Sequence, residues 1–222
     1  MKLPGMVFLL ALMGAAAAHA QAPDMTCANG QFASEAAIGQ AKVAGTDKLY
    51  FLNDSDGCPS EAATCRQRAY VIGGDAVLTG RTVGAYICAY YPSRGGGSAG
   101  WVETARLTPQ PVDTAPALTA WAGHWVDLDD TITLTIKKGA LSANGDAYWP
   151  SAHPSASQFP GGPNVGELSG DGAPKANRVV FTDNDPNGCT ATLTLVGGLL
   201  VVADNGGCGG MNVSFNGVYT RK

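Results

Sequence analysis

The clearest periodic signal in the chain is Thr131-Ile132-Thr133-Leu134-Thr135-Ile136-Lys137, where Ile132, Leu134 and Ile136 alternate with threonines and Lys137. Period-two alternation places the apolar side chains on one face, which predicts a half-buried antiparallel strand. Further strand segments follow this pattern at 123–126, 141–142, 147–149, 165–169, 178–182, 190–196, 199–203 and 213–219. The pair at 141–142 can simply lead into its successor. Eight or nine short strands in about a hundred residues, without a convincing helix, predict a closed up-and-down barrel or a sandwich. The first half leaves room for a short helix around 33–44. It then reads as strands at 48–52, 69–72, 76–78, 82–91 and 100–103, punctuated by Asn53-Asp54-Ser55-Asp56-Gly57 and Gly73-Gly74-Asp75.

Three prolines in Thr108-Pro109-Gln110-Pro111-Val112-Asp113-Thr114-Ala115-Pro116 mark a short, stiff connector. The expected organisation is therefore a unit at 21–107, a linker at 108–116 and a second unit at 117–222. Residues 1–20 read as a cleaved signal peptide. Lys2 precedes the apolar run from Met6 to Met13, and Ala18-His19-Ala20 supplies the small-x-small cleavage pattern. The run is too short to span a bilayer, and no cysteine follows the cut to carry a lipid. A periplasmic or secreted protein with no membrane anchor is expected.

The six cysteines, Cys27, Cys58, Cys65, Cys88, Cys189 and Cys208, all lie beyond that leader. An even count in an oxidising compartment points to three disulfides. Four precede the linker and two follow it, so pairing within units leaves three connectivities. The favoured one joins Cys58 to Cys65 and Cys27 to Cys88. In the second unit, Val196 and Leu199 flank a Gly197-Gly198 turn, and counting back along both strands sets Cys189 opposite Gly206. Cys208 lies two residues further on, within reach if Gly206-Gly207 forms a bulge. A Cys189–Cys208 bridge would close a loop of about twenty residues and stabilise by about 3 kcal/mol.

Composition excludes several classes. Charged residues make up 14% and hydrophobic ones 45%, which favours a packed core over disorder. The net charge of −4 becomes −5 once Lys2 is removed. No basic stripe exists for phosphate backbones and no polybasic run for anionic lipid, so nucleic acid and membrane surfaces are not expected partners.

Chemical motifs carry little weight against their structural readings. Gly96-Gly97-Ser98-Ala99-Gly100 has the Gly-x-Ser-x-Gly form of a nucleophile elbow, but it lies in a glycine-rich loop, and His124 and His153 have no supporting motif. Asp183-Asn184-Asp185-Pro186-Asn187-Gly188 copies the start of a calcium loop, yet its twelfth position is Thr194. A polar turn is the expected reading, with a weak calcium site as the alternative. Asp127, Asp129 and Asp130 read as solvated turn carboxylates. The long irregular stretch 151–164, with His153, Phe159 and three prolines, follows Tyr148-Trp149-Pro150 and is placed where binding residues tend to sit. No catalytic, cofactor-binding or metal-ligating residue is assigned, and no cofactor is expected.

Two resemblances add to this reading. The order Val71-Ile72-Gly73-Gly74-Asp75-Ala76-Val77-Leu78, then Gly100-Trp101-Val102-Glu103, then Leu107 resembles a bacterial Src-homology-three-like barrel over about 48–108. It departs from that pattern in the insertion between Cys58 and Cys65. Gly123-His124-Trp125 with Arg221 or Lys222 at the chain end resembles the closing arrangement of calycins, where a terminal cation covers the tryptophan. Trp121-x-Gly123-x-Trp125, Thr131 to Leu134 and Gly139-Ala140-Leu141-Ser142-x-x-Gly145 also resemble the opening hairpin of avidin-like barrels. The fold expected is all-β: a small Src-homology-three-like barrel followed by an eight-stranded up-and-down calycin-like barrel. The function expected is non-catalytic binding. It would be either inhibition of an envelope hydrolase, such as a lysozyme-type enzyme, or capture of a small molecule. The alternatives are a cell-wall (peptidoglycan) binding module and an unrecognised hydrolase using Ser98. An apolar open lumen would favour a small ligand, and a filled lumen would favour surface loops.

Overall fold

The computed structural model describes residues 26–55, 57–93, 95–183 and 188–222; the leader at 1–20 and positions 184–187 of the acidic turn lie outside them. The described chain is all-β and forms two antiparallel sheets. The first contains β1 (Gly39–Val43), β2 (Leu49–Leu52), β3 (Arg66–Val71), β4 (Ala76–Val83), β5 (Tyr86–Tyr91), β6 (Ser98–Glu103) and β7 (Leu107–Gln110), in the order β3-β2-β6-β5-β4-β1-β7. The second contains β8 (Gly123–Asp127), β9 (Asp130–Lys137), β10 (Ala140–Trp149), β11 (Asn164–Gly172), β12 (Arg178–Thr182), β13 (Thr190–Val196), β14 (Leu199–Asp204) and β15 (Gly217–Arg221). Its order is β11-β10-β9-β8-β15-β14-β13-β12, and the end strands β11 and β12 meet to make a nearly closed barrel. Among the described residues the two α-helical elements, α1 (Asn29–Phe32) and α2 (Leu118–Trp121), are single turns, and two short 3-10 turns lie at Ala63–Cys65 and Thr104–Arg106.

Several local expectations change. The stretch 33–44 contains β1, because Ala41 and Val43 bury alternately around exposed Lys42 while the backbone pairs with both β4 and β7. Tertiary pairing overrides the helix preference of its alanines. The single strand expected at 82–91 is a hairpin, with Val83 opposite Tyr86. The connector begins later than its prolines suggest, since Thr108, Pro109 and Gln110 belong to β7. That strand is at the sheet edge, where a residue without an N–H is tolerated. The last strand is Gly217–Arg221, and 213–216 belongs to the preceding loop.

The barrel interior is solid. Inward residues from all its strands, among them Ile132, Leu134, Leu141, Leu168, Phe181, Leu193, Leu200 and Tyr219, form one buried cluster with Trp121 and Trp125. At the end we call the floor, the Trp125 indole donates to the Trp121 carbonyl (2.8 Å), and the Arg221 guanidinium lies 4.7 Å from the Trp125 ring centroid. The chain-terminal cation thus covers the tryptophan as the Gly-x-Trp pattern implied. At the opposite end, the rim, the 205–216 loop folds over the opening. Two glycines make room for it. A Cβ on Gly145 would lie 3.2 Å from the Phe215 ring and 2.7 Å from the Thr131 carbonyl, and one on Gly166 would lie 2.6 Å from Val213. Phe215 and Val213 plug the rim.

Where the barrel meets the first sheet, parts of β13, β14 and β15 are buried on their outer side too. Leu193, Leu195, Leu200, Val202 and Tyr219 point into the lumen. Their neighbours Val196, Val201 and Val218 join a second cluster with Phe32, Leu78, Cys88, Tyr90 and Trp101 of the N-terminal half. The uninterrupted apolar run Leu199 to Val202 therefore marks a strand covered on both faces. The first sheet has a further cluster of its own, including Val43, Phe51, Val71 and Val102.

Three disulfides fasten these parts: Cys27–Cys88, Cys58–Cys65 and Cys189–Cys208. The hairpin register is as counted, from Val196 opposite Leu199 to Ala191 opposite Asp204. Beyond it the chain kinks enough to bring Cys208 to a Cα–Cα distance of 4.2 Å from Cys189. Replacing Cys189 and Cys208 together by serine is expected to lower unfolding stability by about 3 kcal/mol, read from urea midpoints.

Candidate functional site

With the lumen filled, the seam between the sheets and the barrel rim hold most of the grouped polar side chains of the barrel. Three of the cavities among the described residues lie along the seam. One of about 310 Å³ lies between Ser34–Ile38 and Arg178, Thr192 and Thr194. One of about 550 Å³ lies beside Gln40, Pro111, Gly197 and Arg221. The third, about 360 Å³, brings Tyr90, Ser93 and Gly96 of the first sheet against Asp127, Leu128 and Thr220 of the barrel.

Asp127 and Asp130 face each other across the two-residue turn Leu128-Asp129. Leu128 sits at φ 52°, a left-handed conformation that costs a leucine energy. Its side chain, 68% exposed, reaches toward Gly96 of the first sheet. Of the three turn carboxylates expected to be solvated, Asp129 is exposed, whereas Asp127 and Asp130 are half-buried. Burial pushes the Asp127 carboxyl up to about 6, against the opposing hydrogen bond from the Val218 N–H. Burial likewise raises Asp130 to about 6, opposed by the Tyr148 N–H and helped by the charges of Asp127 and Asp129. Burial, with Asp127 nearby, also raises the Tyr90 hydroxyl, which donates to the Gly96 carbonyl at 2.6 Å.

The acidic turn organises the rim. Asp130 accepts from the Tyr148 N–H (2.9 Å) and Asp129 from the Ala152 N–H (3.0 Å), which pins the start of the long 151–164 stretch. Trp149 packs edge-on against Phe159, ring centroids 5.4 Å apart, and the Asn164 amide donates to the Met211 carbonyl (2.7 Å), joining this stretch to the plug. Trp149 is 37% exposed and Met211 78%. The result is an anchored aromatic rim.

Charge is segregated along the barrel axis. The register puts Asp127, Asp129, Asp130, Asp146, Glu167, Asp183 and Asp204 toward the rim. Lys137, Lys138, Lys175, Arg178 and Arg221 lie toward the floor, whereas Lys222 lines the third cavity with Asp127 and Leu128. Asp171 is toward the floor too, 3.7 Å from Lys137.

The other candidates do not converge. Ser98 opens β6 opposite Tyr91 in a hairpin, without the strand-to-helix turn of a nucleophile elbow. His124 is exposed on β8 and shares a hydrogen bond with Thr133 (3.1 Å), and His153 is exposed in the long stretch. Asp183 accepts from the Cys189 N–H (2.8 Å), a turn-closing role, and among the described residues no group of His, Cys, Asp and Glu is arranged to hold a metal ion. Sequence reasoning missed the burial of Asp127 and Asp130, because the groups close to them, Val218, Tyr148 and Tyr90, are distant in the chain.

No protein-family model matches the chain, and no curated protein or solved structure shows significant similarity to it.

Because Asp127 and Asp130 titrate higher folded than unfolded, the folded state holds their protons more tightly. Their stabilising effect is complete below about pH 4 and is lost as pH rises through about 6. Stability is expected to fall across that window. Asp127→Asn should flatten the fall and add about 1 kcal/mol at pH 7, after discounting for solvent screening. Urea unfolding at several pH values measures both.

Proposed function

We propose that the chain is an exported, non-catalytic binding protein whose calycin-like barrel docks a basic envelope protein, a lysozyme-type hydrolase in the first instance, onto its rim. A Src-homology-three-like N-terminal barrel backs it across the seam. The observation that carries this reading is the combination of a filled lumen with a rim that is acidic, aromatic and held in place. The packed lumen favours recognition by surface groups over capture of a small ligand inside the barrel. Trp149 and Met211 supply the kind of exposed anchors on which interface energy concentrates. The segregated carboxylates favour a cationic partner and speed its approach. Three disulfides suit an oxidising compartment, where such enzymes act.

Excess protein is expected to slow wall lysis by lysozyme-type enzymes, with inhibition weakening as salt is raised. Trp149→Ala and Met211→Lys should each weaken inhibition roughly tenfold or more while leaving the unfolding midpoint near that of the parent. Undiminished lysis across a panel of basic envelope hydrolases would refute the assignment.

A further inference from the structure

The acidic chain carries a cationic face that the barrel does not use. It lies on the outer side of β2 and β3, at one end of the first sheet. Alternation along β3 exposes Arg66, Arg68 and Tyr70 together, and Lys48 and Tyr50 stand beside them at the start of β2. Tyr50 is paired with Tyr70, ring centroids 5.6 Å apart. The Lys48 ammonium sits 4.1 Å from the Tyr70 ring centroid and the Arg66 guanidinium 5.7 Å from that of Tyr50. Arg106 joins Lys48 and Arg66 around an adjoining hollow of about 150 Å³, with Glu103 as its acidic member. Among the described residues, Lys48, Arg66, Arg68 and Arg106 form no ion pair.

β3 is also a terminal strand, and no described strand pairs with its other side. Of the two edges of this sheet, β7 is shielded by Pro109 and the following Pro111, which cannot donate to a neighbouring strand. β3 has no proline, and although its register with β2 shifts between Tyr50 and Leu52, its alternating exposure is kept from Arg66 to Tyr70 and no described strand pairs with its outer side. Its arginines decide which partner. A second copy pairing along β3 would bring like charges together, which disfavours self-association. An acidic strand meets attraction at those same positions.

We propose that β3 is a docking edge for an extended acidic peptide segment, which adds to the first sheet as an eighth strand. Main-chain bonds to β3 supply affinity, and side chains at alternate peptide positions supply selectivity. Two acidic residues spaced i, i+2 face Arg66 and Arg68, and an apolar or aromatic residue two positions further along rests on Tyr70. The spacing follows from strand geometry, since alternate side chains share a face.

The test uses the disulfide-bonded mature chain and a fluorescently labelled short peptide alternating Glu with Val. Three probes accompany it: the same peptide with Lys in place of Glu, one with N-methyl groups on the amides of alternate residues in either phase, and heparin. Anisotropy is expected to report binding of the Glu peptide and none of the Lys peptide. At least one N-methylation phase should abolish binding, and Arg66→Glu with Arg68→Glu should weaken it roughly tenfold or more. Hydrogen exchange across 66–70 is expected to slow on binding. Failure of the Glu peptide to bind, or equal binding by both N-methylated peptides, would overturn the edge. So would heparin binding with full displacement of the peptide but no peptide-induced protection across 66–70, which would mark the face as a general polyanion surface. Should the double variant fail to fold, N-methylation and hydrogen exchange on the unaltered protein decide the matter.

Discussion

The packing of Val196, Val201 and Val218 against Leu78, Trp101 and Phe32 is the constraint on which the rest of the molecule depends. These valines project outward from strands whose alternate residues fill the barrel, so β14 and the adjoining ends of β13 and β15 are buried on both sides. Removing each valine from water contributes about 1.5–3 kcal/mol. Cys27–Cys88 holds α1 and its Phe32 against the first sheet, where Phe32 stacks on Tyr90 at 5.4 Å. The two sheets thereby share a hydrophobic layer that belongs to neither alone.

That layer decides where function can be. The lumen is closed at the floor by Trp121, Trp125 and Arg221 and at the rim by Val213 and Phe215, and one flank of the barrel is given to the seam. What stays available is the rim, with its segregated acids and anchored aromatics, and the far face of the first sheet, with its unneutralised cations. Two surfaces of opposite charge on one chain suit a protein that brings partners together, or that is held by one while engaging the other. The half-buried Asp127 and Asp130 tie the rim to the seam, because the turn they flank anchors the 151–164 stretch on one side and meets Gly96 and Tyr90 on the other.

Much of this was legible in the residues, for definable reasons. Strict alternation in 131–137 and the Gly197-Gly198 turn specify register locally, so β9 and the β13–β14 hairpin followed directly; the Cys189–Cys208 bridge needed in addition a departure from that register at Gly206-Gly207. Gly123, Trp125 and Arg221 carried the floor contact because a cation over an indole leaves a recognisable residue pattern. What escaped depended on distant partners. β1 looked helical until β4 and β7 claimed its two edges. β7 looked like linker because proline is read as a breaker, although an edge strand accepts it. The carboxylates of Asp127 and Asp130 looked solvated because nothing local to the turn announces that Val218, Tyr148 and Tyr90 will cover them. The strand at 199–203 was legible, but its burial on both faces, and the surface that covers its outer side, were not.

Differential scanning calorimetry of the mature, disulfide-bonded chain, alone and with Val201→Asp, tests the shared layer most directly. Val201 points away from the lumen, so the substitution charges the seam and spares the barrel core. The unaltered protein should unfold in one transition whose calorimetric and van't Hoff enthalpies agree, and the variant should resolve into two separate transitions. Two independent transitions in the unaltered protein, or a variant indistinguishable from it, would contradict the account.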